Sequence, residues 1–271
     1  MGIGFHELSF LKFTKKENNF KTLGVIGRQE NYIDSNHKII PKNLKNLADE
    51  KYSDSLLSNI LGLDNLKSYD VTAKDNPSEI LNFNFLINKP EKFDAFFDGG
   101  SLQHTFNVPI VMQNISNHVK IGGSIIHVVS SNNLCGFGFY QFSPEFFIRY
   151  YSEKNGFKNT NVFVADYDDN EIWYEINSNV LKNISINTSA RLICLVKTEK
   201  HSEIDVKEIF QEVFFDNNKS VDDQRKNFLF NKKIFVSIYL KILILLDIFS
   251  KKINLKKNKN LKTKKILDLI S

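Results

Sequence analysis

The sequence predicts an α/β protein built on a doubly wound, mostly parallel sheet of seven strands, followed by a C-terminal helical extension. Two stretches carry this expectation. Phe93-Asp-Ala-Phe-Phe-Asp-Gly-Gly-Ser-Leu-Gln-His104 holds a short apolar run closed by a polar, glycine-containing turn. Val119-Lys-Ile-Gly-Gly-Ser-Ile-Ile-His-Val-Val-Ser130 holds a second run, which the Gly122-Gly123 loop feeds. Between them, Leu102 to His118 has the length and apolar spacing of one helix. Strand, polar turn, helix and strand make a βαβ unit, and in open α/β sheets the ligand lies beyond the carboxyl ends of such strands. The segment Asp98 to His104 is therefore the first place expected to carry function.

The remaining elements follow in order. Lys21 to Gly27 reads as the first buried strand, ending in glycine, with Arg28-Gln29-Glu30 as a polar loop behind it. Pro41 to Asp49 and Asp54 to Leu61 read as helices, and Gly62 stops the second. Leu66 to Val71 is the second strand, with Asp70 near its end, and Glu79 to Phe85 the third. Phe93 to Phe97 and Ser124 to Val129 are the fourth and fifth. Ser143-Pro144-Glu145 opens a helix, because proline suits the first turn and an acid suits the positive end of the helix dipole. It is expected to run to about Lys154, with Gly156 ending it. Asn161 to Asp166 and Arg191 to Lys197 are the last two strands. No helix separates them, so they should pair antiparallel and close one sheet edge. Tyr167 to Ser189, which holds the sole tryptophan Trp173, reads as a long irregular link.

The 271 residues suffice for one large domain or a domain with an appendage, and we expect an α/β domain over 1–198 and an extension over 199–271. With 42% hydrophobic and 25% charged residues, the composition is ordinary for a soluble globular protein. Cys135 and Cys194 share no close spacing, so neither a disulfide framework nor a metal site is indicated, and a reducing cytoplasm is the expected setting. The start, Met1-Gly-Ile-Gly-Phe-His6, lacks the pattern of a signal peptide, and His6 stands where myristoylation wants Ser or Thr. The abundance of Asn, Lys, Ile and Phe suggests an AT-rich bacterial genome.

The net charge of +5 is concentrated at one end. Residues 251–271 contain eight lysines and one acid, which leaves about −2 for the rest and excludes a nucleic-acid-binding body by charge. Ile204 to Phe215 reads as an amphipathic helix, and Ile234 to Phe249 as a strongly apolar one interrupted by Lys241 and Asp247. The latter is shorter than the roughly 20 residues of a membrane-spanning helix. We expect these helices to pack on the body, on a second copy or on a partner protein, with the lysine-rich end exposed and mobile. Peripheral membrane contact is a variant of that expectation.

Over roughly residues 18 to 198 this order resembles class I S-adenosylmethionine-dependent methyltransferases, in particular small bacterial ones associated with surface-polysaccharide or secondary metabolism. The resemblance is carried by Thr22-Leu-Gly-Val-Ile-Gly-Arg-Gln29, Tyr69-Asp70, Leu81-Asn-Phe-Asn84, the Phe93–His104 stretch, Ile121-Gly-Gly123 and Gly136-Phe-Gly-Phe-Tyr-Gln-Phe-Ser-Pro144. It implies methyl transfer from S-adenosylmethionine to a small hydroxylated or amino-bearing metabolite, a sugar or saccharide precursor among them. The alternative is a non-catalytic relative whose tail docks a partner or membrane surface.

The resemblance also implies roles for particular residues. Gly27 would let backbone amides approach the cofactor's carboxylate. Asp70 would accept hydrogen bonds from the ribose hydroxyls, unless it is a solvated turn acid. Asn82, or Asn84, would meet the adenine amine. The turn Asp98 to Ser101, with Gly99 and Gly100, would flank the sulfonium and the substrate. The chain keeps Gly24 and Gly27 but has Arg28-Gln29-Glu30 where the family has small residues, so Arg28 would either pair with the cofactor carboxylate or block the pocket. His104 is either the general base for the acceptor or a helix residue packed on the sheet. Tyr140 and Gln141 either bind substrate or cover the sheet. His127 reads as a satisfied core histidine, and Glu145 as a first-turn acid.

Overall fold

A computed structural model describes residues 2–177, 189–203 and 262–270. The chain divides into two compact units: one of 1–184, 190–206 and 260–271, the other of 185–189 and 207–259. The expected helices Ile204 to Phe215 and Ile234 to Phe249 lie outside the described residues. Among the described residues no helix is long and apolar enough to cross a membrane.

The first unit opens with β1 (Gly2–Ile3), α1 (Phe5–Asn18), β2 (Thr22–Ile26) and β3 (Glu30–Asn31). The helices α2 (Lys45–Ala48) and α3 (Asp54–Leu61), then β4 (Asn65–Asp70), β5 (Glu79–Ile80) and β6 (Phe93–Asp98), follow. Next come α4 (Val108–Asn117), β7 (Val119–Asn132), α5 (Pro144–Tyr150), β8 (Phe157–Asp166), β9 (Ile172–Ile176) and β10 (Leu192–Lys200). The last elements are β11 (Lys262–Lys265) and α6 (Ile266–Ile270).

Among the described residues nine strands form one sheet in the order β11-β9-β8-β10-β7-β6-β2-β4-β5, two more than expected. The run from β7 to β5 is parallel throughout. The chain starts in the middle at β2, winds outward through β4 and β5, then returns to β6 and β7, so the direction of winding switches between β2 and β6. This is the doubly wound architecture that the sequence predicts. The antiparallel pairing of β8 with β10 also holds, but β10 inserts between β7 and β8 instead of lying at the edge.

Apolar side chains cover both faces. On one, Ala95, Phe97, Ile126, Val128 and Leu195 pack with α1, α3 and Ile266. There Phe10 of α1 meets Phe163 and Trp173 edge-on, with ring centroids 5.9 and 5.2 Å apart. On the other, Tyr69, Phe83, Phe93, Phe96 and His118 form an aromatic layer. Gly24 belongs to this packing, since a Cβ there would stand 2.4 Å from the Phe96 ring.

Several expectations change. Leu102 to His118 is not one helix: a 3₁₀ turn over Leu102–His104 precedes α4, which Pro109 enters at its first turn. Gly122-Gly123 is not a loop but lies within β7, where a Cβ on Gly123 would stand 2.6 Å from the Asp94 carbonyl. The link after β8 contains β9, with Trp173 fully buried. Residues 262–265, expected in an exposed and mobile end, pair antiparallel with β9. Helix α1 falls where the sequence predicts no element, and eight of its 14 residues are buried.

Candidate active site

The site is built at the carboxyl ends of β2, β4 and β6, beside the winding switch. As the chain leaves β2, Gly27 adopts φ 75° and its N–H donates to the Tyr69 carbonyl at 2.7 Å, so the turn stays tied to β4. A residue with a Cβ is strained in that conformation. At the end of β4 the half-buried Asp70 accepts the Val71 N–H on Oδ1 at 2.7 Å and the Arg28 N–H on Oδ2 at 3.4 Å. A carboxylate has about four acceptor positions, so Asp70 retains capacity toward a ligand. Gly27, Asp70, Leu81, Asn84, Ser101 and His104 line a crevice of about 190 Å³.

The turn after β6 is held from beneath. Asp98 Oδ1 accepts the backbone N–H groups of Ser101 and Leu102 at 2.7 and 3.0 Å. Its Oδ2 lies 2.8 Å from His127 Nδ1, and His127 Nε2 lies 2.6 Å from the Tyr151 hydroxyl. The carboxylate only accepts, so Nδ1 donates to it, and Nε2 shares a second hydrogen bond with the Tyr151 hydroxyl. Burial, first of all, raises the Tyr151 hydroxyl well above its usual pKa and keeps it a donor. The Ser101 hydroxyl donates to the Ile26 carbonyl, locking the turn to β2.

Above this turn a larger chamber of about 350 Å³ opens, walled by Glu7, Tyr32, Gly99, Gly100, Phe137 and Tyr167 among others. His104 lines both this chamber and the crevice of Asp70. Burial lowers the His104 pKa, so its neutral, proton-accepting form prevails near neutrality. Gln103 ties the chamber together: its Oε1 accepts the Ser130 N–H and hydroxyl at 2.7 and 2.6 Å. Its carbonyl accepts the Phe139 N–H at 2.7 Å. Gly138 permits that approach, because a Cβ there would lie 2.4 Å from the Gln103 carbonyl oxygen.

The candidates therefore separate. Gly27 and Asp70 share the crevice, Gly99 and Gly100 line the chamber, and His104 joins the two. Asp98 does not face either space; it is fully buried and caps the turn. His127 is the satisfied core histidine that its mid-strand position suggests. Arg28 neither fills the crevice nor faces it. Its Nε donates to Asp54 at 2.7 Å, its Nη1 donates to the carbonyls of Asp75 and Asn76, and it stacks 4.1 Å over Tyr52.

Asn82 is exposed and accepts from Asn84, so Asn84 is the one of the two on the crevice wall. Tyr140 donates to the Phe106 carbonyl and Gln141 accepts the Leu134 N–H; both close the loop, while Phe137 reaches the chamber. Glu145 follows the Ser143 cap and pairs with Arg149 at 3.3 Å.

Sequence reasoning missed Glu7, Tyr32, Phe137 and Tyr167. Glu7 alone left a signal, the Gly4-x-x-Glu7 spacing in which the side chain caps Gly4 N–H at 2.9 Å.

No protein-family model and no curated protein matches the chain. Among solved structures it is similar to the O-methyltransferase of a trans-AT PKS multienzyme from Brevibacillus brevis, in complex with S-adenosyl-L-homocysteine. The identity is 11% and the TM-score 0.40, over 74% of this chain and 73% of the other. It is also similar to the N-methyltransferase NodS from Bradyrhizobium japonicum, likewise in complex with S-adenosyl-L-homocysteine, at 11% identity and TM-score 0.42, over 73% and 86%. A S-adenosylmethionine-dependent methyltransferase from Clostridium acetobutylicum is similar at 12% identity and TM-score 0.37, over 74% and 93%.

Proposed function

We propose that the protein transfers a methyl group from S-adenosylmethionine to a small hydroxylated or amino-bearing metabolite. The observation that carries this reading is the position of His104 on the shared wall of two spaces, the crevice of Asp70 and the chamber above the Asp98 turn. A cofactor in the first and an acceptor in the second would meet at one imidazole.

The residues present suit this cofactor. Asp70 offers spare acceptor positions for a pair of ribose hydroxyls, and Asn84 stands on the same wall. When bound, S-adenosylmethionine supplies an electrophilic methyl group.

The protein's own part is to hold the acceptor in line and to take its proton. Neutral His104 accepts the proton of a hydroxyl or ammonium group. Calorimetric titration with S-adenosylmethionine and S-adenosylhomocysteine tests the reading. We expect saturable 1:1 binding of both. A folded protein that binds neither has lost or never had this activity.

A further inference from the structure

Glu7 has no place in cofactor binding as described above, yet it is the most unusual group on the chamber wall. It sits at the third position of α1, only 9% exposed, and one carboxylate oxygen caps the Gly4 N–H at 2.9 Å. Burial raises its pKa above the usual carboxylate range. Its charge is felt across the chamber, where burial first and Glu7 second raise the Tyr167 hydroxyl. Among the described residues that line the chamber there is no lysine or arginine; the nearest guanidinium on its rings, Arg191, stacks 4.8 Å over Tyr167 from outside the lining. A buried carboxylate without a counter-charge is expensive to keep ionised, and a ligand that brings a positive charge removes that cost. The aromatic rings of Tyr32, Phe137 and Tyr167 stand on the same wall, and aromatic faces attract cations.

We infer that the chamber selects an acceptor bearing an ammonium group, which pairs with Glu7 and rests against the rings of Tyr32, Phe137 and Tyr167. This rests on the methyl-transfer reading for the word acceptor, but the cation site itself does not. The chamber volume of about 350 Å³ suits a small amine and not a polymer.

The test compares two probes of equal shape, benzylamine and benzyl alcohol, titrated by ligand-detected NMR at neutral pH. Each is measured with and without S-adenosylhomocysteine, so that the amine site is judged even if the cofactor does not bind. We expect the amine to bind at least tenfold more tightly than the alcohol. Glu7→Gln keeps an oxygen for the Gly4 cap and should bring the two probes to equal affinity, with the melting curve checked to confirm folding. Equal affinities in the unaltered protein overturn the inference and leave methyl transfer standing. A Glu7→Gln protein that keeps its amine preference also overturns it. Loss of S-adenosylhomocysteine affinity in Glu7→Gln, with probes that never differed, would assign Glu7 to the cofactor's own ammonium and overturn it too.

Discussion

Asp98 and His127 are register partners on β6 and β7, 2.8 Å apart, and neither side chain reaches solvent. The pair fixes the turn on which the site is built, because the same carboxylate also holds the Ser101 and Leu102 amides. Asp98→Ala would leave those two donors and the His127 N–H unpaired in the interior. Each buried donor left unsatisfied costs about 1–3 kcal/mol. We expect a loss of this size in urea unfolding, together with loss of cofactor binding. A variant as stable as the parent would mean that water or a neighbour replaces the carboxylate.

Asp70 stands in a different position, half-buried and bonded to two backbone amides, those of Val71 and Arg28. Hydrogen bonds to a charged acceptor contribute about 1.5–3 kcal/mol, so Asp70→Ala should weaken S-adenosylmethionine at least tenfold while the protein stays folded. Calorimetry on both proteins decides it. Unchanged affinity would reduce Asp70 to a turn acid.

The contrast between these two acids shows what the sequence could reveal. Both end a strand and precede a turn. The difference comes from His127, 29 residues further on, which supplies a buried donor to one and not to the other. Strand-forming runs such as Phe93 to Phe97 were legible because they are apolar and bounded by turn residues. Helix α1 was not, since His6, Glu7, Leu8, Ser9, Phe10 and Leu11 are all buried and leave no polar face to reveal a helical period. The chamber was hidden for the same reason: Glu7, Tyr32 and Tyr167 come from segments outside the βαβ pattern and meet only in the fold. Arg28 misled because a guanidinium near a cofactor loop suggests an anion, whereas Asp54 and Tyr52 draw it away.

His104 is the residue whose removal should separate chemistry from binding. General bases contribute about 10²–10⁴-fold to rate, so His104→Ala should lower turnover within that range and leave the S-adenosylmethionine affinity nearly unchanged. Because burial lowers its pKa, the proton-accepting form is already present at neutral pH. Activity should therefore fall only as the pH drops below the ordinary histidine range. A variant with full turnover would make His104 a packing residue.

His6 links the fold to pH. The Trp173 indole N–H donates to His6 Nδ1 at 3.1 Å, which requires a neutral imidazole at that atom. Burial lowers its pKa to about 4. The unfolded chain takes up this proton near the ordinary value of about 6.5, the folded one only near 4, so stability is complete above 6.5 and declines as the pH falls toward 4. The slope from this group alone approaches about 1.4 kcal/mol per pH unit inside the window. His6→Gln should flatten the decline relative to the parent in urea titrations at pH 7 and 5. Parallel declines in the two proteins would show that His6 does not titrate on unfolding.

The C-terminal residues test whether the lysine-rich end is an appendage or part of the fold. β11 continues the sheet beyond β9 along a four-residue ladder from Lys262↔Glu175 to Lys265↔Ile172. The next residue, Ile266, is fully buried, and its N–H donates to the Glu171 carbonyl at 3.1 Å. It joins the cluster that contains Trp173, Phe10 and Phe163. Burying one such side chain contributes about 1.5–3 kcal/mol, and β9 without its neighbour becomes an open edge strand. Truncation after Asn260 should therefore lower the urea midpoint and promote self-association through β9. Ile266→Ala keeps the ladder and removes only packing, at a cost of about 2–5 kcal/mol. If truncation acts through the core, both variants lose stability and only the truncated one self-associates. If the truncated protein instead keeps its midpoint and a single mass in light scattering, the end is dispensable and the sheet is complete at β9.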